Sequence, residues 1–418
     1  MKVIVRGPAL TRTGYGEHTR TILRAMRENV ELDIYLMPVN WGQSGWVWED
    51  SDERVWMDHL IKKTAVYQQQ GNPVYDMSIQ VTIPNEWERM APINIGVTAG
   101  IETTKVAAVW LEKANMMDHV VTISNHSKEV YENTAYHGTH KETGAPVSIK
   151  CETAIDIVPY PVKKHAPVEL GLELETDFNF LSVAQWGPRK NVENQLTWFV
   201  EEFIDNPEVG FVLKTFGKNG SNIDRVRARN TIQKVLAKYP QRQCKVYLLH
   251  GDMLEEEIHS LYTHPKIKAL VSLSHGEGFG LPHFEAAYSG LPVIAPEWSG
   301  YLDFLCMPKK DKKGREKVRP FFATVEYDIS QVNQAAVWAG VIEADSAWCY
   351  AQAGSYKMRL REVYKDHGRF VKQAKTLQKW VSKNFTKKIV YDKFNAILGK
   401  YTVQNEWQSD LDAVETVG

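Results

Sequence analysis

The chain has 418 residues, more than the roughly 250–300 that one hydrophobic core usually serves, so two domains are expected. Its 43% hydrophobic and 24% charged residues are ordinary for a globular protein, and a formal net charge of −1 excludes a generally basic nucleic-acid binder. Cys151, Cys244, Cys306 and Cys349 lie far apart without metal-ligand spacing, which reads as reduced thiols in a cytoplasm; no apolar run reaches the ~18 residues of a membrane span, and the start, MKVIVRGPAL, is too short in its apolar part for a signal peptide.

In chain order, residues 2–6 (KVIVR) predict a buried strand, then a loop with Gly14 and Gly16 and a helix from near Glu17, where Ile22, Leu23 and Met26 repeat at helical spacing. The two glycines fall at the C-terminal end of that strand, where open α/β sheets bind ligands. Thr19 at the third glycine position breaks the dinucleotide fingerprint. A strand over 32–39 runs into Trp41, Trp46, Trp48 and Trp56, whose exposed members are candidates to stack on a sugar or a base. A helix over 54–69, strands over 77–83 and 94–99, a helix over 104–117, a strand over 119–124 and a helix over 126–135 follow. Residues 137–150 are polar and read as a loop, 155–161 closes the first domain, and 162–176 reads as a linker.

The alternation resumes with strands over 178–185, 209–216, 245–251 and 268–274, separated by helices over 191–204, 222–238 and 254–263. This rhythm predicts a parallel sheet with helices on both faces. Residues 309–319 hold seven Lys/Arg against Asp311 and Glu316. They read as a solvated loop, with phosphate contacts to a nucleic acid or an anionic surface as the alternative. Helices over 344–365, 367–383 and 386–400 finish the fold, and the polar tail 406–418 is expected to be loose.

Chemistry concentrates in residues 273–296, LSHGEGFGLPHFEAAYSGLPVIAP. Gly276, Gly278 and Gly280 alternate through a loop, Pro282 suits a first helical turn and Gly290 a helix stop. A glycine loop feeding a helix N-terminus offers N–H groups and a positive dipole end to a phosphate. Glu277 and Glu285 bracket it. Carboxylates beside a phosphate site make sense only if they serve ligand hydroxyls, so one for a ribose and one for a second sugar describe a nucleotide-sugar. In 180–191, FLSVAQWGPRKN, Arg189 and Lys190 stand just past a strand end, where cations neutralise a departing diphosphate. Solvated charges on a helix face and a turn are the competing reading.

The run EGFGLPHFEAAYSGLPVIAP resembles the signature of family 4 retaining glycosyltransferases, which have the GT-B fold. The resemblance implies an α/β fold class: two Rossmann-like, doubly wound parallel-sheet domains facing across a cleft. Residues 1–161 would form an N-terminal acceptor-binding domain, rejoined by the C-terminal helix about 386–402, with 162–176 the linker and 177–385 the nucleotide-sugar-binding domain. It implies catalytic roles for Glu277, near the transferred sugar, and for Arg189 and Lys190. Glu285 would bind the ribose, Gly278, Phe279, Gly280 and Leu281 the sugar and phosphates, Gly14 and Gly16 the donor phosphates, and Met253 the base. The stretch GIETTKV…W…NMMDHVVTISNHS is similar to the family's first domain and turns Glu102 toward the substrate. Glu17, His18 and Trp41 are the other acceptor candidates. Gln185 stands where the family usually has Arg, which puts the hold on the diphosphate in doubt unless Arg189 compensates.

The implied reaction is metal-independent retaining transfer from a UDP- or GDP-sugar to an acceptor hydroxyl, with no resident cofactor. A glycan or other small acceptor is favoured. A hydroxymethylated base in DNA, served by the 309–319 loop, is the alternative, and an inactive nucleotide-sugar-binding module the second. A P-loop enzyme is excluded because no Gly-Lys-Ser/Thr occurs.

Overall fold

The computed structural model describes residues 1–42, 44–139, 143–311 and 313–415. The chain divides into two compact units, one of Met1–Gly100, Val106–Pro161 and Phe385–Gly418, the other of Ile101–Lys105 and Val162–Asn384. The segment Ile101–Lys105, assigned by the sequence to the first domain, therefore packs with the second unit.

The first unit is built on a six-stranded parallel sheet in the order Asp33–Pro38, Lys2–Gly7, Met77–Val81, Ile93–Val97, His119–Thr122, Ile155–Ile157. Numbered along the chain, this is 2-1-3-4-5-6, a doubly wound order with its switch between the first and third strands. The run KVIVR is apolar throughout because both faces are covered: Val3 and Val5 join one core cluster and Ile4 another, all fully buried. The helix Gly14–Arg27 lays Ile22, Leu23 and Met26 on that core. The C-terminal helix Lys387–Glu415 returns to it with Val390, Phe394, Ile397 and Leu398, spaced at three and four residues to share one face.

The second unit has its own six-stranded parallel sheet, ordered Lys245–Leu249, Val209–Phe216, Phe178–Gln185, Ile267–Val271, Val293–Pro296, Ala323–Val325. Its chain-order numbering, 3-2-1-4-5-6, is that of the dinucleotide-binding folds, with the switch between the first and fourth strands. Two Rossmann-like, doubly wound parallel-sheet domains are thus the fold class that the sequence implied.

Four expectations change. Residues 137–150 are not a loop but the arms of a hairpin, Ala135–Thr139 with Pro146–Lys150, and 309–319 belongs to a second hairpin, Cys306–Lys310 with Glu316–Pro320. Both have solvated faces and so lack the alternation that marks a half-buried strand. The helix expected over 344–365 begins only at Ala353; Ala347–Ala351 is a strand paired with Tyr327–Gln331. AWCYA contains no helix breaker, and its partner lies too far along the chain for a local pattern to show it. The tail expected to be loose continues the last helix to Glu415. Lys312 and the final three residues lie outside the described residues.

Candidate active site

The switch point of the second sheet sets the first and fourth strands, Phe178–Gln185 and Ile267–Val271, side by side and parallel. Their following connections, 186–191 and 272–280, therefore meet although some ninety residues separate them. The His275 N–H donates to the Arg189 carbonyl at 2.8 Å, and the Arg189 guanidinium donates back to the Gly276 carbonyl at 2.6 Å. Gly276 is required here because a Cβ would overlap the carbonyl oxygen of Glu102. The helix Leu281–Ser289 begins at Gly280, φ +90°, with Pro282 in its first turn, and stops at Gly290, φ +75°. Gly280 brings no side chain to cap that N-terminus.

Four charges meet on this loop. The Glu277 carboxylate, 9% exposed, accepts from Lys190 on one oxygen and lies 3.0 Å from Arg189 Nη1 on the other. Arg189 Nη2 reaches Glu102 Oε1 at 2.9 Å. Burial works against a charged Glu277, but Lys190 and Arg189 outweigh it and hold its carboxyl well below the usual carboxylate range. Burial, reinforced by the neighbouring Arg189, pushes the Lys190 ammonium down from its ordinary value. Two cations and two anions sum to a neutral cluster, which suits burial without a ligand.

The other donor-side candidates follow from this frame. Phe279 is 2% exposed and its ring packs against Phe284 and Phe304 at 5.1 and 4.8 Å, so only its backbone can face a ligand. Glu285 lies half-buried on the helix and accepts from the Tyr262 hydroxyl at 2.8 Å. Met253 is half-buried just after Gly251, φ +110°. Gln185 turns away to the Gly217 carbonyl at 2.9 Å, leaving Arg189 as the guanidinium of the cluster.

The candidates of the first unit are committed differently. Thr13 caps the helix by accepting from the Gly16 N–H at 3.0 Å, and Gly14 accepts from the Tyr160 hydroxyl at 2.9 Å. Glu17, 8% exposed, is ion-paired with Arg20 at 3.1 Å and Arg24 at 2.9 Å, so the structure gives this acceptor candidate an internal task. His18 is fully buried against Tyr160 at 5.2 Å, and burial pushes its imidazole down to about 3. Trp41 is half-buried on Tyr15 at 4.4 Å. Glu102, an acceptor candidate, packs with the second unit and is the fourth member of the Arg189 cluster. Sequence reasoning missed Tyr262 and Ser299; the latter has a left-handed backbone, φ +86°, that no local pattern betrays.

Residues 171–311, about a third of the chain, match the family model described as glycosyl transferases group 1. The match spans the stretch that holds the glycine loop and the Arg189–Lys190 pair, so this segment is similar to the group 1 glycosyl transferases. The two Rossmann-like domains give the fold the GT-B type. Over 116 residues it is 33% identical to the serotype-specific mannosyltransferase WbdA of Escherichia coli, a stretch making up 28% of this chain and 13% of that protein. It thus spans well under two thirds of the curated relatives that it matches. Among solved structures it resembles sucrose-phosphate synthase from Thermosynechococcus elongatus, with TM-score 0.62, 14% identity, and coverage of 97% of this chain and 100% of that one. It also resembles the lipopolysaccharide outer core galactosyltransferase WaaB, with TM-score 0.55, 15% identity, and coverage of 96% and 100%.

Proposed function

We propose that the protein is a glycosyltransferase that moves a sugar from a UDP- or GDP-sugar to an acceptor hydroxyl with retention at the anomeric carbon. The observation that carries the reading is the Glu277–Arg189–Lys190–Glu102 cluster at the sheet's switch point, beside the start of the Leu281–Ser289 helix. In this reading the bond from the anomeric carbon to the diphosphate oxygen breaks while the acceptor oxygen bonds the same face of that carbon. The acceptor proton passes to the departing phosphate oxygen. Arg189 and Lys190 share their charge between Glu277 and the diphosphate, doing without a metal what a divalent cation does elsewhere. Glu277 takes the sugar hydroxyls, Glu285 the ribose, the Met253 region the base, and the Gly278–Leu281 backbone the phosphates. Gly14 and Gly16 remain candidates for the donor, and His18 and Trp41 for the acceptor.

A carbohydrate acceptor is favoured, in keeping with the mannosyltransferase and galactosyltransferase names of the similar proteins. The four free thiols suit a reducing, cytoplasmic setting, and no helix among the described residues is long and apolar enough to cross a membrane. The test is release of nucleotide from a panel of UDP- and GDP-sugars, with glycan acceptors added and the anomeric configuration of the product read by NMR. No release with any donor and acceptor overturns the reading. Release that survives in Glu277→Ala overturns the site.

The hairpin Cys306–Lys310/Glu316–Pro320 favours a second reading, transfer to a hydroxymethylated base in DNA. Lys309 lies directly opposite Lys317, Arg319 shares their face opposite Met307, and all three cations are exposed. Among the described residues none of the three has an acidic partner within ion-pair distance, whereas Arg315 is held by Asp311 at 3.0 Å. Like charges directly opposite destabilise a ribbon, and phosphates relieve them. Three phosphate contacts give a log–log salt slope of about −2.7, a loss of about 40-fold between 50 and 200 mM salt. Fluorescence anisotropy with labelled duplex DNA supports this reading if that loss appears and shrinks to about 3.5-fold in Lys309→Ala/Lys317→Ala, where Arg319 alone remains. Salt-insensitive or absent binding leaves the carbohydrate acceptor.

A further inference from the structure

Ser299 lies in the turn after the Val293–Pro296 strand, buried at 4% exposure, with φ +86°. Of the three non-glycine residues with positive φ among the described residues, the other two are Asn72 and Asn191, and Asn tolerates the left-handed region. Serine does not, and glycine would sit there without strain. What serine adds is its hydroxyl. The Ser299 Oγ accepts from the Glu277 N–H at 2.9 Å and donates to the Glu277 carbonyl at 2.8 Å, closing both main-chain groups of one residue. The following N–H, of Gly300, adds a second bond to that carbonyl at 3.0 Å. Gly300 lies so close beneath the loop that a Cβ would overlap the Gly278 carbonyl.

Glu277 is therefore fixed at both ends, at its carboxylate by Lys190 and Arg189 and at its backbone by Ser299. We infer that Ser299 is a positioning residue for glycosyl transfer: its hydroxyl holds Glu277 and the backbone that follows in the geometry the reaction needs, and the strained conformation is tolerated for that hydroxyl. The inference rests on the transfer reading above and deepens it. Ser299 is not a catalytic residue, since its hydroxyl is consumed by the two backbone bonds.

Two variants separate this role from a contribution to folding. Ser299→Gly removes the hydroxyl and relieves the backbone, whereas Ser299→Ala removes the hydroxyl and keeps the strain. The expected result is a Tm for Ser299→Gly at or above that of Ser299→Ala. In both, kcat falls by about 10- to 100-fold, as for a small misplacement of a reacting group, while the KM for nucleotide-sugar stays within about twofold. Hydrogen–deuterium exchange of the 276–281 backbone in the ligand-free protein gives a readout independent of turnover, expected to be about 5- to 10-fold faster in both variants. A stable Ser299→Gly with wild-type kcat overturns the inference, as does unchanged exchange. If the wild type releases no nucleotide from any donor, the transfer reading fails by itself, and unchanged or accelerated exchange then decides whether Ser299 sets this backbone.

Discussion

Each unit runs from a buried strand through a short loop into a helix, yet the two transitions are finished in opposite ways. In the first unit, Thr13 caps the helix with its own side chain, and the acid of the first turn, Glu17, is locked to Arg20 and Arg24 on the same helix. In the second, Gly280 caps with nothing, and the acid before the helix, Glu277, is matched to cations from another strand's connection. Self-satisfied polar groups stabilise a fold, whereas groups assembled from distant segments around an uncapped helix start can exchange partners with a ligand.

The sharpest way to break this contrast is to neutralise each acid. Glu277→Gln is expected to slow nucleotide release by about 10²–10³-fold. Glu17→Gln leaves the rate within about threefold but costs about 3–5 kcal/mol, because it strands buried arginine charge. Denaturant unfolding run beside the release assay checks both, and a Glu17→Gln protein that is stable but inactive would restore Glu17 as a substrate ligand. Next in size, Gly16→Ala drives a Cβ into the Thr11 carbonyl and should cost about 1–3 kcal/mol in thermal unfolding.

A pH series sharpens the same comparison, because each unit buries a neutral histidine. Burial pushes His18 down to about 3 and His283 down to about 4, from an ordinary 6.5. With a depressed folded-state value, the stability each contributes is complete above pH 6.5 and is lost as pH falls, because the unfolded chain takes up protons that the fold refuses. Between pH 6.5 and 4 each histidine adds a slope of about 1.4 kcal/mol per pH unit. His18→Leu and His283→Leu should each remove one such slope, and a wild-type curve flat over that window would contradict the burial of both. Smallest is Thr13→Ala, about 1 kcal/mol of stability with unchanged turnover, read by thermal unfolding and the release assay.

What could be read from the residues was whatever is local. The buried strands announced themselves as apolar runs, and strands 178–185 and 209–216 were placed to the residue because both faces are covered. The glycine loop, its proline and its two acids lie within one stretch of chain. The pairing of Glu277 with Arg189 and Lys190 depends on which strands become neighbours, which is a property of sheet order and not of spacing. The Glu17–Arg20–Arg24 set was within reach, since spacings of three and seven residues put all three side chains on one helix face. The basic hairpin was hidden because its exposed strands have no inner face to impose a pattern.

The second unit is discontinuous in sequence, and that limits how the chain can be cut. Ile101–Lys105 supplies Glu102 to Arg189, donates from the Thr104 N–H to the Ala347 carbonyl at 3.1 Å and pairs Lys105 with Asp345. A fragment covering 162–384 would leave the guanidinium of Arg189 missing one of its two counter-charges and Gly276 without the backbone that it packs against. A chimera that exchanges the C-terminal half for that of a related enzyme must therefore carry along five residues of the N-terminal half.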